Sequence, residues 1–129
     1  ERTRAEMERA QPWLPELRRA AQGVRSGDRA AIRDGSEKAL ASIAGMLAKL
    51  SREQRVAAEA DPALRRNRAT AHYNLACVDA ATDVEAAFRH LGEALLHATW
   101  TRAQLESDSD FTPLHGDPRW RKVLEACGG

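Results

Sequence analysis

Apolar positions along this chain recur three and four residues apart, and short polar stretches with proline, glycine or a capping residue interrupt them. That period is helical, and no stretch alternates cleanly enough to make a strand. After a polar, helix-prone stretch at residues 2–11 that offers only Met7 and a few alanines, Pro15 opens a helix carrying Leu17, Ala20, Ala21 and Val24. Gly23, Ser26 and Gly27 are expected to end it. Asp28 is a good N-cap for a long second helix with the stripe Ile32, Ala39, Leu40, Ile43, Met46, Leu47 and Leu50. Gly35 interrupts that stripe at a cost of about 1 kcal/mol relative to alanine. Ser51 with Gln54 forms a capping box that starts a short helix with Val56, Ala57 and Ala60.

Asp61-Pro62 repeats the start signal, an N-cap followed by proline at the first helical position. The helix predicted over 62–82 lines one face with Leu64, Ala71, Leu75, Ala76 and Val78. A turn at Thr82-Asp83 leads to a helix with Val84, Ala87, Phe88, Leu91, Ala94, Leu95 and Ala98. Thr101 with Gln104 caps a short helix ending near Ser107. Asp110 to His115 makes one more helical turn, with Phe111 and Leu114 inward. Asp117-Pro118 starts a last helix that buries Trp120, Val123 and Leu124. Short connections make consecutive helices antiparallel neighbours, so the expected fold is all-α, a stack of helical hairpins.

Composition agrees. Of 129 residues 43% are apolar, and alanine, which loses no side-chain entropy in a helix, dominates them. The length bounds the chain to one domain, or to a capped piece of a longer array. Opening on Glu1 without an initiator methionine, it is expected to be a processed product or part of a longer protein. Twenty basic and nineteen acidic residues give a net charge of +1, which excludes a strong electrostatic footprint for nucleic acid or anionic membrane. No apolar run is long enough to span a bilayer. Cys77 and Cys127 read as free thiols on helical segments in a reducing cytoplasm.

The candidate chemistry is sparse. His90 and His97 are seven residues apart on one helix, too far for one-turn metal pairing, and His72 and Cys77 diverge around theirs. Histidines on an exposed face, and no metal or other cofactor, are the expectation. Cys77 lies inside a helix between Ala76 and Val78 without the surroundings of a nucleophile. The eight glycines form no phosphate loop. Asp108 and Asp110 read as caps that anchor the tail. Arg65, Arg66 and Arg68, like Arg2, Arg4, Arg9, Arg18 and Arg19, have acidic residues interleaved nearby and too few aromatics for base stacking; they read as solvated helix faces.

The segment YNLAC, followed by a turn and A-x-x-x-L-x-x-A, resembles a tetratricopeptide repeat. Ala76, Ala87 and Ala94 match the small positions, and Leu75 and Leu91 the large ones. The stretch LESDSDFTPLHGDPRW is similar to the ending of the last repeat in many bacterial tetratricopeptide proteins, matched in order by Leu105, Asp108, Asp110, Phe111, Pro113, Leu114, Asp117, Pro118, Arg119 and Trp120. The chain departs from the pattern in lacking the turn glycine and in placing Asp79 where an aromatic is usual.

The resemblance implies a short tetratricopeptide-like α-solenoid within a single helical domain: diverged helices over 1–60, a repeat pair over 61–99 and a capping tail over 100–129. It implies a non-catalytic module for a protein or peptide partner, a scaffold or adaptor in a bacterial regulatory assembly. Its partner groove falls on the flank with Tyr73, Asn74 and Cys77, extended along the helix by Thr70, Arg66 and Ala80. One alternative is a self-associating module whose groove takes its own N-terminal segment or a second copy. A small enzyme dependent on metal or on a Cys/His pair is the other.

Overall fold

A computed structural model describes residues 10–128. Residues 2–9, with Met7, Arg2, Arg4 and Arg9, lie outside the described residues, and so does most of the first polar stretch. All secondary elements described are helical apart from one isolated bridge. We label the α-helices α1 (Leu14–Ser26), α2 (Arg29–Ala48), α3 (Arg52–Ala60), α4 (Pro62–Asp79), α5 (Val84–His97), α6 (Arg102–Ser107) and α7 (Pro118–Glu125), with a 3-10 helix at Ser109–Leu114 between the last two.

Each start signal works as local chemistry dictates. The carboxylates of Asp28, Asp61 and Asp83 accept from the backbone N–H three residues on, at 3.1, 3.0 and 3.1 Å. Both capping boxes close reciprocally, Ser51 with Gln54 and Thr101 with Gln104. Such a cap contributes about 1 kcal/mol. Gly27 ends α1 in the left-handed region, φ 74°, where a side chain would be strained. The fourth helix closes at Asp79, short of the expected 82, because its carbonyl accepts from Thr82 and Asp83 and turns the chain.

The hairpins are antiparallel. Arg65 donates to Leu96 at one end of the α4–α5 pair, and His72 meets His90 midway. Between α1 and α2, Gly35 lies against Glu16 and Ala20, and Gly23 against Ile32. Gly35 therefore does more than weaken its helix: its missing Cβ lets two backbones approach. Helix α4 packs on α2, joined by Arg29 donating to the Val78 carbonyl at 2.7 Å and by an Arg33–Asp79 ion pair.

Two apolar clusters result. One gathers Trp13, Ala39, Ile43, Leu47 and Leu64; the other gathers Ala76, Ala87, Leu91, Leu105, Phe111, Leu114, Trp120 and Val123. Helix α4 contributes to both. Val24 and Val56, on the expected helical stripes, instead face solvent at 55% and 66% exposure. Ala80, expected on the groove flank, is buried in the second cluster. The tail covers that cluster as a lid, and Gly128 N–H donates back to the Trp100 carbonyl at 3.0 Å. Among the described residues no helix is long and apolar enough to cross a membrane.

Candidate functional site

Positions 66, 70, 73, 74 and 77 fall on one face of α4, since they step by three, four or one residues along a 3.6-residue helix. The structure brings three of them together. Tyr73, Asn74 and Cys77 line a cavity of about 260 Å³ with Val24, Gly27, Arg29 and Ile32 from the first hairpin and Asp108 and Asp110 from the tail. Arg66 and Thr70 are exposed on the same face nearer the start of α4, beyond the cavity.

Tyr73 is a fixed post. Its ring stacks on Trp100 at 5.0 Å between centroids and meets Phe111 edge-on at 5.3 Å. Its hydroxyl donates to Asp108 Oδ2 at 2.6 Å, and burial raises its pKa above the usual tyrosine value. Asp108 also caps the 3-10 helix by accepting from the Asp110 N–H at 3.0 Å. One carboxylate thus holds the lid to α4 while starting the lid's own turn. Asn74 differs: its side-chain amide has no hydrogen-bond partner among the described residues, and it opens onto the cavity. An amide supplies both donor and acceptor, so it can satisfy one backbone peptide unit of an incoming chain.

The Cys77 thiol and the carboxylates of Asp108 and Asp110 offer ligand atoms within 4.8 Å of one another. Burial and both carboxylates push the thiol's pKa up, which keeps it protonated, and Asp108 is already engaged by Tyr73 and Asp110. The arrangement serves as a tail anchor, in which Cys77 is a small partly buried side chain with a weak S–H contact of 3.9 Å to Asp108. Cys77 and Cys127 are both free thiols.

Family models, curated proteins and solved structures return no match for the chain. The likeness to tetratricopeptide repeats therefore stands on the residues that carry it.

Three features escaped the sequence reading. First, His72, His90 and His97 are not on an exposed face; they are half-buried in the seam between α4 and α5. Spacing within one helix could not find them, because the contact joins two helices: His72 Nδ1 lies 3.0 Å from His90 Nδ1. Burial, the largest cause in each case, lowers the pKa of all three, that of His72 to about 4. His115 remains exposed, against Trp120 at 4.8 Å. Second, Asp79 is a buried carboxylate at 4% exposure, held by Arg33. Its departure from the repeat pattern was the visible signal. Third, only Arg66 of the α4 trio is a free solvated cation: Arg65 donates to the Leu96 carbonyl, and half-buried Arg68 lies 3.9 Å from Glu59.

Proposed function

We propose that this chain is a non-catalytic interaction module of tetratricopeptide type, which takes a protein or peptide segment into the cleft between α1 and α4. The unpartnered Asn74 amide on the floor of that cleft carries the reading. Half-buried, the amide still reaches solvent, and a partner's peptide group can take the place of the water that serves it. The volume of about 260 Å³ suits a single side chain rather than a drug-sized ligand. Val24 at the rim offers apolar contact, and Arg66 and Thr70 continue the polar row along α4. Arg66 meets a carboxylate on the partner. A scaffold or adaptor role in a bacterial regulatory assembly follows from this reading, as does action inside the cytoplasm, which suits two free thiols.

The test is a quantitative pull-down with wild type beside an Asn74→Ala/Arg66→Ala variant. Tyr73 is left intact because its loss would release the lid. Partners retained by wild type and lost by the variant support the cleft, whereas equal recovery of every partner overturns it.

A second reading, self-association, is favoured by a separate apolar surface on α5 and α7. Leu96 is 64% exposed beside a shallow apolar hollow of about 310 Å³ formed by Phe88, Gly92, Leu95 and Val123 among others. Light scattering over a range of concentrations separates the two, because a monomer at all concentrations removes the second.

A further inference from the structure

Helices α2, α3 and α4 enclose a cavity of about 400 Å³ that shares no residue with the cleft. Helix α2 supplies its floor. Leu40, Ile43, Ala44, Leu47 and Ala48 recur at helical spacing, so they present one apolar face. The walls are polar. Arg55 and Glu59 come from α3, and Arg68 and His72 from α4, each pair one helical turn apart. A cavity of this volume falls within the range of small-molecule sites, about 300–1,000 Å³.

The walls hold more donors than acceptors. Arg68 is partly buried, and its Nη1 is shut off from solvent with no hydrogen-bond partner among the described residues. Glu59 Oε2 lies 3.9 Å from that nitrogen, beyond hydrogen-bond reach, and its side chain is 44% exposed, free to turn out to water. A buried guanidinium N–H without an acceptor is costly, and an anion satisfies it better than a neutral group does. Arg55 donates Nε to the Leu47 carbonyl at 3.3 Å, which pins a second guanidinium at the same cavity. His72 gives its Nδ1 to the bond with His90, and burial keeps the ring neutral at pH 7, its pKa lowered to about 4. Two guanidinium groups against one carboxylate leave one positive charge in excess. That balance fits a monoanion, and the α2 floor fits an apolar body attached to it.

We infer that this cavity binds a small amphipathic carboxylate. Its carboxylate displaces Glu59 as the acceptor for Arg68, and its apolar body lies along Leu40, Ile43, Ala44 and Leu47. The planar fork of a guanidinium matches a carboxylate in shape as well as charge. Inorganic phosphate carries more charge and has nothing to lay on the apolar floor. Helix α3 buries no side chain of its own, so a ligand held between its Arg55 and Arg68 of α4 also fastens α3 to the stack. The inference is independent of the proposed partner cleft, since no residue is shared.

The experiment titrates tag-free protein by calorimetry with butanoate, hexanoate and octanoate, and with octanamide and inorganic phosphate as controls. Octanoate should bind at one site per chain, and each methylene added along the series should tighten binding about two- to fourfold. Octanamide and phosphate should bind at least about tenfold more weakly than octanoate, the first lacking the charge and the second the apolar body. Arg68→Gln should weaken octanoate binding by a similar factor. Glu59→Gln should tighten it, because a competing acceptor is gone, and Arg121→Gln, exposed on α7, should leave it unchanged. In wild type, octanoate should shift the ring-proton resonances of His72 and not those of His115, and should slow amide hydrogen exchange in α3. Those two readouts depend on no variant. No saturable binding, octanamide or phosphate binding as tightly as octanoate, or His72 resonances unmoved at saturation would each overturn the inference.

Discussion

A methyl group added at Gly35 sets two effects of known size against each other. Glycine inside a helix costs about 1 kcal/mol relative to alanine, so helix propensity alone predicts that Gly35→Ala stabilises. The structure predicts the opposite. A Cβ at Gly35 would lie 2.5 Å from the Glu16 carbonyl oxygen, 3.0 Å from the Ala20 nitrogen and 3.1 Å from the Ala20 Cβ. Two of those atoms are backbone, so no side-chain rotation relieves the contact. Restoring ordinary separation requires α1 to move by roughly 1 Å, and overpacking of this kind costs about 1–3 kcal/mol, at the upper end when a whole helix must shift. The expected net effect is a destabilisation of about 1–2 kcal/mol. Gly45, in the same helix, and Gly92, in α5, have nothing within 4 Å of the added methyl, and there alanine should stabilise by about 0.5–1 kcal/mol. Urea unfolding followed by far-ultraviolet circular dichroism measures all three midpoints against wild type. A Gly35→Ala protein as stable as Gly45→Ala would refute the close approach of α1 and α2.

Tyr73→Phe removes the hydroxyl that holds Asp108; a hydrogen bond to a charged acceptor contributes about 1.5–3 kcal/mol, and partial exposure brings the expected loss to about 1–2 kcal/mol. Limited proteolysis should then cut within residues 100–112 faster than in wild type, and unchanged protection would show that the hydroxyl does not secure the lid. Arg33→Ala leaves the buried Asp79 carboxylate without its cation and should cost about 2–3 kcal/mol, below the range for fully buried pairs because Arg33 is partly exposed; Arg33→Ala/Asp79→Asn should recover part of that loss in thermal melts. The guanidinium of Arg119, followed by its N–H, holds Asp117 down at about 2, against 3.8 in an unfolded chain. A depressed carboxylate stabilises above its unfolded value, so this contribution is present at neutral pH and fades as pH falls from about 4 through about 2. Trp120 fluorescence should report the last helix loosening over that window in wild type, and Asp117→Asn should lack the transition. The same pH profile in both proteins would place its cause elsewhere.

Helix starts were legible because a cap acts within three residues. Asp28, Ser51 with Gln54, Asp61-Pro62, Thr101 with Gln104 and Asp117-Pro118 all satisfy N–H groups close by in the chain. The three-four stripes likewise found most of the buried positions of α2, α4 and α5. What joins one helix to another was not legible. Gly35 looks like a propensity defect until Ala20 stands opposite it. His72 and His90 are eighteen residues apart, and only the register of the α4–α5 hairpin pairs them. At the candidate site, the flank with Tyr73, Asn74 and Cys77 came from repeat-like spacing. The spacing did not divide the labour between Tyr73, bound to the lid, and Asn74, left open. That division depends on where Asp108 folds back, and the tail's path is set by Phe111, Leu114 and Trp120 packing into the second cluster.

Each apolar cluster contains its own indole. Trp13 is buried in the first, whereas Trp120 is buried in the second and Trp100 packs against it. Helix α4 is the continuous rod between them, so denaturant must either break both clusters together or melt one while the rod's other end stays wound. Single-tryptophan versions turn that choice into an optical measurement. Coincident loss of the two signals would mean that α4 couples the halves into one cooperative unit, and separated losses would rank the halves by their own stability.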